Sequence, residues 1–263
     1  MKPLTVHAVG CCLPGLDGWA AAKPVLAGQA SYVHDEIGTA ASELLPPNER
    51  RRSTASVRLA FRAAEDAVKN AALKPADWAT VFASSDADTA IINRIVTALA
   101  EPQRVVSPTD FHNCVHNAAA GYWSIGVGCR LPSTTLSAWD ESFAAGLLEA
   151  ATLVHADGLP VLLVVYDMVP PEPLLSARPI TRPGAVALAL SDGAMAMPAL
   201  ARIELTLGVR GDETPCKDQA LDALRQTNPA ARALPLLALL AGEAAGTVRL
   251  PAIGELLEVR RVA

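Results

Sequence analysis

Basic residues are in the minority in this 263-residue chain: 22 Lys and Arg against 27 Asp and Glu leave a formal net charge of −5. A nucleic-acid binder needs a basic face to displace counterions from phosphates, so the balance argues against that class. Aromatics are scarce, at 4%, while 51% of the chain is hydrophobic. The core is therefore expected to be aliphatic and alanine-rich, and at this length it can be substantial. Five cysteines make an odd count, and Cys11 and Cys12 are adjacent. A secreted disulfide framework would use more of them at more even spacing, so a reducing, cytoplasmic setting is expected. Long apolar runs are missing too. "LPVLLVVY" and "ALPLLALLAG" fall short of the ~20 residues that cross a bilayer, so no membrane span is expected. The opening "MKPLTVHAVGCCLPG" has one lysine and no long apolar segment, which makes it a poor signal peptide. No G-x-G-x-x-G follows the first strand and no Walker string is present, so a nucleotide cofactor is not expected.

What is present is an alternation of β-rich and helical stretches. "LTVHAVG" reads as a strand and "CCLPGLDGW" as turns; a helix is expected from about Ser53 to Leu73. "WATVFASS" reads as a strand and "TAIINRIVTALA" as a helix stopped at Pro102. A helix opens after Pro108 through "SPTDFHNCVHNAAAGYWSIGVG", with small residues at Ala118 to Gly121 that permit close packing. "STTLSAWDESFAAGLLEA" reads as a short strand that turns sharply into an amphipathic helix. "LPVLLVVYD" has no polar alternation, which suits a strand buried on both faces. "GAVALALSD" and "ARIELTLGV" are further strands, with helices near 217–226 and 231–241 and one or two strands in "TVRLPAIGELLEVRRV". This is the pattern of an α/β layered fold. The proline-dense "MVPPEPLLSARPITRPG" lies between two apolar strands and reads as a surface excursion, so residues 1–263 are taken as one domain.

The order of elements and several strings resemble the N-terminal half of the β-ketoacyl synthases, which have the thiolase fold. "TVHAVGCCLPGLDGWAAAKPVLAG" is similar to the family's opening strand, glycine turn and short helix, and "LPPNERRRSTASVRLAFRAAEDAV" to its arginine-containing turn and alanine-rich helix. "FHNCVHNAAAGYWSIGVGCRLPSTTLSAWDES" resembles the segment leading to the nucleophile, and "PGAVALALSD" the late glycine-alanine strand. The resemblance covers roughly residues 2–192. It implies a thiolase-like layered fold without the complete second half, 193–263 being a short divergent extension of strands and helices. The "FHNCVHNAAAGYW" string is most similar to a synthase-like subgroup of aryl-polyene and xanthomonadin-type pigment pathways.

The resemblance places Ser137 and Ala138 on the first two positions of the family's Thr-Ala-Cys-Ser-Ser-Ser string and Trp139 on its nucleophilic cysteine. An indole has only a donor N–H and cannot attack a thioester. Asp140 and Glu141 put negative charge where a thiolate would need the positive end of the helix. The family's two catalytic histidines lie in strings with no counterpart here, the last histidine being His155. With nucleophile and histidines missing together, the resemblance implies a non-catalytic, chain-length-factor-type subunit. Its partners would be a complete β-ketoacyl synthase, as heterodimer or heterotetramer, and an acyl carrier protein. Trp139 is then either a plug in the pocket or an ordinary core residue. Family members join their sheets edge to edge through the strand before the nucleophile, here Ser133, Thr134, Thr135, Leu136 and Ser137.

The remaining candidates have plainer readings beside the chemical ones. On a helix, His112 and His116 would share a face as zinc ligands do, but no third ligand is placed nearby, so a polar helix start is preferred and no metal is expected. Cys114 with His116 could form a substitute nucleophile pair for an atypical acyltransferase, although two positions apart on a helix they point in different directions. Arg50, Arg51 and Arg52 could steer an acidic carrier protein or simply be a solvated turn. Cys11 and Cys12 are expected to point one inward and one outward. A small-molecule-binding module without a synthase partner is a third functional class.

Overall fold

The computed structural model describes residues 2–38 and 42–262. β1 (Leu4–Leu13) turns into the two-residue β2 (Leu16–Asp17), and α1 (Trp19–Leu26) follows. α2 (Pro47–Arg52) and α3 (Ala55–Asn70) lead to β3 (Ala79–Ala83). α4 (Thr89–Ala100), α5 (Pro108–Asn113) and α6 (Ala118–Val127) precede β4 (Ser133–Leu136), α7 (Ser142–Asp157) and β5 (Val161–Asp167). Then come α8 (Leu174–Ala177), β6 (Gly184–Ser191), β7 (Ala201–Val209), α9 (Gln219–Thr227), α10 (Leu234–Ala241), β8 (Gly246–Ala252) and β9 (Glu255–Val262). Among the described residues no helix is long and apolar enough to cross a membrane.

The strands form one mixed sheet in the order β4-β3-β5-β6-β1-β7-β9-β8, with β2 on β1. β4, β3 and β5 are parallel, and the remaining pairings are antiparallel. β5 and β6 are buried at every position, because helices cover both faces of the sheet. On one face α3 and α6 pack on Phe82, Leu162, Val164 and Ala187. On the other, α7 and the C-terminal helices pack on Val81, Leu163, Val165 and Leu188. Alternate residues of one strand thus serve two cores, which explains the unbroken apolar run.

α3 begins where Thr54 caps it, the hydroxyl accepting from the Val57 N–H. Its alanine face lies so close to β1 that a Cβ built at Gly10 would sit 1.9 Å from the Ala63 carbonyl oxygen. Cys11 and Cys12 are both buried, a correction to the inward-outward expectation: they enter opposite cores of a sheet covered on both sides. Burial pushes both thiols up, Cys12 to about 12, so neither is a reactive thiolate.

The last seventy residues are integral to the packing. β8 lies five strands from β5 in the sheet order, or about 24 Å across a flat sheet at ~4.8 Å per strand. Yet β8 touches α7, which itself packs on β3 and β5. The sheet therefore curls round α7 and encloses it, together with α10. The single helix expected after Pro108 is two helices. Asn113 is buried and its amide donates to the Thr109 and Arg52 carbonyls. The Cys114 N–H bonds Phe111, three residues back, tightening and ending the turn.

Candidate functional site

The parallel strands β3, β4 and β5 all end at one edge of the fold, and layered α/β proteins place their sites outside such carboxyl ends. The chain leaves β4 through Ser137, whose hydroxyl donates to the Ser85 carbonyl beyond β3 at 2.6 Å. Trp139 then takes φ +53°, a left-handed conformation that costs an L-residue roughly 1–2 kcal/mol. Ser142 holds the turn: its hydroxyl accepts from the Ala138 N–H at 3.0 Å and donates to the Trp139 carbonyl at 2.7 Å. A 3-10 turn over Trp139–Glu141 runs directly into α7. This is a strained strand-to-helix elbow, kept by hydrogen bonds that do not involve the Trp139 side chain.

The indole is turned outward. Trp139 is 58% exposed, with its ring lying against the Arg178 guanidinium 3.9 Å from the ring centroid. It neither fills a core nor packs inside the elbow. Arg178 follows α8 in the proline-dense excursion and is only 11% exposed. It donates to Asp140 at 2.5 Å and stands 3.8 Å from Asp86. The negative charge expected at the start of α7 is thus partly neutralised by a residue that the sequence did not single out. Nothing in the order of residues marks Arg178, which lies 38 positions beyond Asp140.

Beneath the elbow is a buried polar cluster, also unanticipated. Asp167, at the end of β5, is fully buried; it accepts from the Ser85 N–H (2.7 Å) and the Ser84 hydroxyl (3.2 Å) and shares a 2.7 Å hydrogen bond with the Ser85 hydroxyl. Burial pushes its carboxyl up to about 7, against the pull of those donors. Asp86 beside it is also raised by burial. His116 approaches the Ser84 backbone, and its burial disfavours the charged ring.

The other candidates separate. His112 lies on α5, edge-on to the Tyr122 ring, while His116 lies in the turn before α6, so the helical spacing that would pair them does not exist. The Cys114 thiol donates to the Phe111 carbonyl at 3.1 Å, and no hydrogen bond joins it to His116. Among the described residues no three His, Cys, Asp or Glu side chains are grouped as a metal site would require. Arg50 is turned back to the Leu45 carbonyl and Arg51 to Asn48, while Arg52 is exposed. β4 is the outermost strand beside β3, with Ser133 exposed and Thr134 to Leu136 half-buried.

A family model described as the β-ketoacyl synthase N-terminal domain matches residues 19–241. No curated protein matches the sequence. Among solved structures, a chain of a ketosynthase (ApeO) in complex with its chain length factor (ApeC), from Xenorhabdus doucetiae, superposes with a TM-score of 0.74. It is 23% identical, over 99% of this chain and 100% of that one. A chain of AntDE:AntF, a type II PKS acyl-carrier protein in complex with its ketosynthase bound to the hexaketide, gives 0.76 at 13% identity over 99% of each. A β-ketoacyl synthase from Burkholderia phymatum STM815 gives 0.62 at 15% identity, over 88% of this chain and 71% of that one.

Proposed function

The chain belongs to the β-ketoacyl synthase family, through that family's N-terminal domain and with its thiolase-like fold, and on that premise we propose that it is a non-catalytic subunit of the chain-length-factor type. It pairs with a complete β-ketoacyl synthase during polyene, polyketide or fatty-acid-like chain elongation, on chains delivered by an acyl carrier protein. The observation that carries this reading is the elbow: its strained backbone is kept and its reactive atom is not. A positive φ at a tryptophan has no folding advantage, since glycine would hold the turn at lower cost. The side chain at that point offers an indole N–H, which is no nucleophile.

Two further features support a partner. β4 is an edge strand whose free peptide groups suit pairing with a second sheet. Ile125 stands exposed on α6, which packs beside β4, and Phe111 on α5 and Val115 in the turn before α6 are exposed as well. Gly121 of α6 has open space where a Cβ would be, so a helix of another subunit can approach closely. Arg51 and Arg52 remain the candidates for carrier-protein contact. The test is affinity purification of the tagged chain from its native cells at low ionic strength. A complete β-ketoacyl synthase should co-elute in near-equal amount, and recovery of the chain alone would count against the pairing.

A further inference from the structure

We propose that Asp167, Ser85 and Asp86 form a proton-held latch under the elbow: one proton carried between the carboxyls through Ser85 keeps Arg178 seated on Trp139 and Asp140, and its release draws the guanidinium inward and frees the indole. The Ser85 hydroxyl lies 2.7 Å from Asp167 Oδ1 and 2.9 Å from Asp86 Oδ1. A hydroxyl has one hydrogen to donate, and an ionised carboxylate has none. With both carboxyls ionised, one of these contacts sets two lone-pair oxygens against each other. With one added proton, both are hydrogen bonds.

Asp167 is where that proton resides. Its Oδ2 is buried without a hydrogen-bond partner, whereas Asp86 is 17% exposed and has Arg178 beside it. An unpaired buried charge is the costlier of the two, so Asp167 stays neutral, donates to Ser85, and Ser85 donates to ionised Asp86. The upward push on Asp167, to about 7, puts release in the neutral range.

The groups facing this cluster are Arg178 from the segment after α8, Asp140 from the turn before α7, His116 from the α5–α6 turn, Asp88 at the start of α4, and Tyr166 on β5. Arg178 is the standing cation among them, since burial disfavours the charged form of His116 and holds the Tyr166 phenol neutral. Arg178 also has an unused edge. Its Nε and Nη2 are buried and unbonded while Nη1 holds Asp140. Nε stands 3.8 Å from Asp86 Oδ2, just beyond hydrogen-bond reach. A second negative charge at the cluster closes that gap, and the guanidinium then leaves the ring it covers. The latch belongs to the isolated chain and does not depend on the existence of a partner.

Acrylamide quenching of tryptophan fluorescence reads it directly, because Trp139 is 58% exposed while Trp19, Trp78 and Trp123 are at 7%, 2% and 0%. The quenching constant is followed from acidic to alkaline pH, with far-UV circular dichroism confirming the fold throughout. In the wild type and in His116→Gln it should rise through one transition centred near 7. In Asp167→Asn and in Asp86→Asn the transition should be lost. Asp86→Asn carries the test alone if Asp167→Asn does not fold, since Asp86 lies at the surface of the cluster. A flat wild-type profile overturns the latch. So does a transition that persists in a folded carboxyl variant, or one that disappears in His116→Gln.

Discussion

Thr135→Pro separates the outer edge of the sheet from its inner ladder. The Thr80 N–H donates to the Pro132 carbonyl at 3.0 Å and the Ser84 N–H to the Leu136 carbonyl at 3.3 Å. In a parallel ladder the peptide groups alternate sides, so Pro132, Thr134 and Leu136 face β3 while Ser133 and Thr135 face the open edge. A proline at 135 removes an outward N–H and leaves the β3–β4 bonds in place. If a partner strand pairs there, one of its buried carbonyls loses its donor, at a cost of about 1–3 kcal/mol. That weakens association roughly 5- to 150-fold. The assay is pull-down of the synthase by tagged wild type, Thr135→Pro and Thr134→Pro, with thermal melting of each chain alone. Thr135→Pro should lose the synthase and melt close to wild type, whereas Thr134→Pro should melt lower because it breaks the chain's own sheet. Wild-type recovery of the synthase by Thr135→Pro would place the interface elsewhere.

Three other outcomes are expected. Trp139→Cys should not condense malonyl units in a radiolabel assay, because Asp140 and Glu141 remain at the helix start and no histidine follows His155 in the sequence; turnover by this variant would mean that other groups of the site complete the chemistry. Gly10→Ala should destabilise the chain by about 3 kcal/mol in urea unfolding, since its Cβ would meet the Ala63 backbone oxygen, and an unchanged midpoint would show that α3 can move away. Asp167 is raised from an ordinary carboxylate value near 3.9 to about 7 in the fold. Its stabilisation is therefore full below about pH 4 and is lost as pH rises through 7, on the order of 4 kcal/mol in all. Asp167→Asn should flatten urea midpoints over that window, and an unaltered pH profile would assign the titration to another group.

The elements that sequence conveys best are those whose cause is local. The unbroken apolar run of β5 implied burial on both faces, and α4 begins at its Asp88 cap and ends just before Pro102. The elbow was legible in "STTLSAWDES" because a β-branched run meets a helical one there. What was missed depends on distant partners. The break between α5 and α6 follows from an Asn113 amide reaching the Arg52 carbonyl, 61 residues away. Trp139 faces outward and is covered by Arg178, which returns across the elbow from the excursion that read as a plain surface loop. Asp167 looked like the end of a strand, and only the fold brings Ser84 and Ser85 against it. The C-terminal strands read as a divergent extension, and only the curl of the sheet shows that β8 reaches α7.

The most direct measurement of the central claim is intact-protein mass spectrometry after incubation with acyl-thioesters, first on the chain alone and then on its complex with the co-purified synthase. With Trp139 at the nucleophile position, as the proposed reading has it, the chain should gain no acyl mass in either sample while the synthase subunit in the complex becomes acylated. A stable acyl adduct on this chain, at Cys114 or any other residue, would contradict a non-catalytic role.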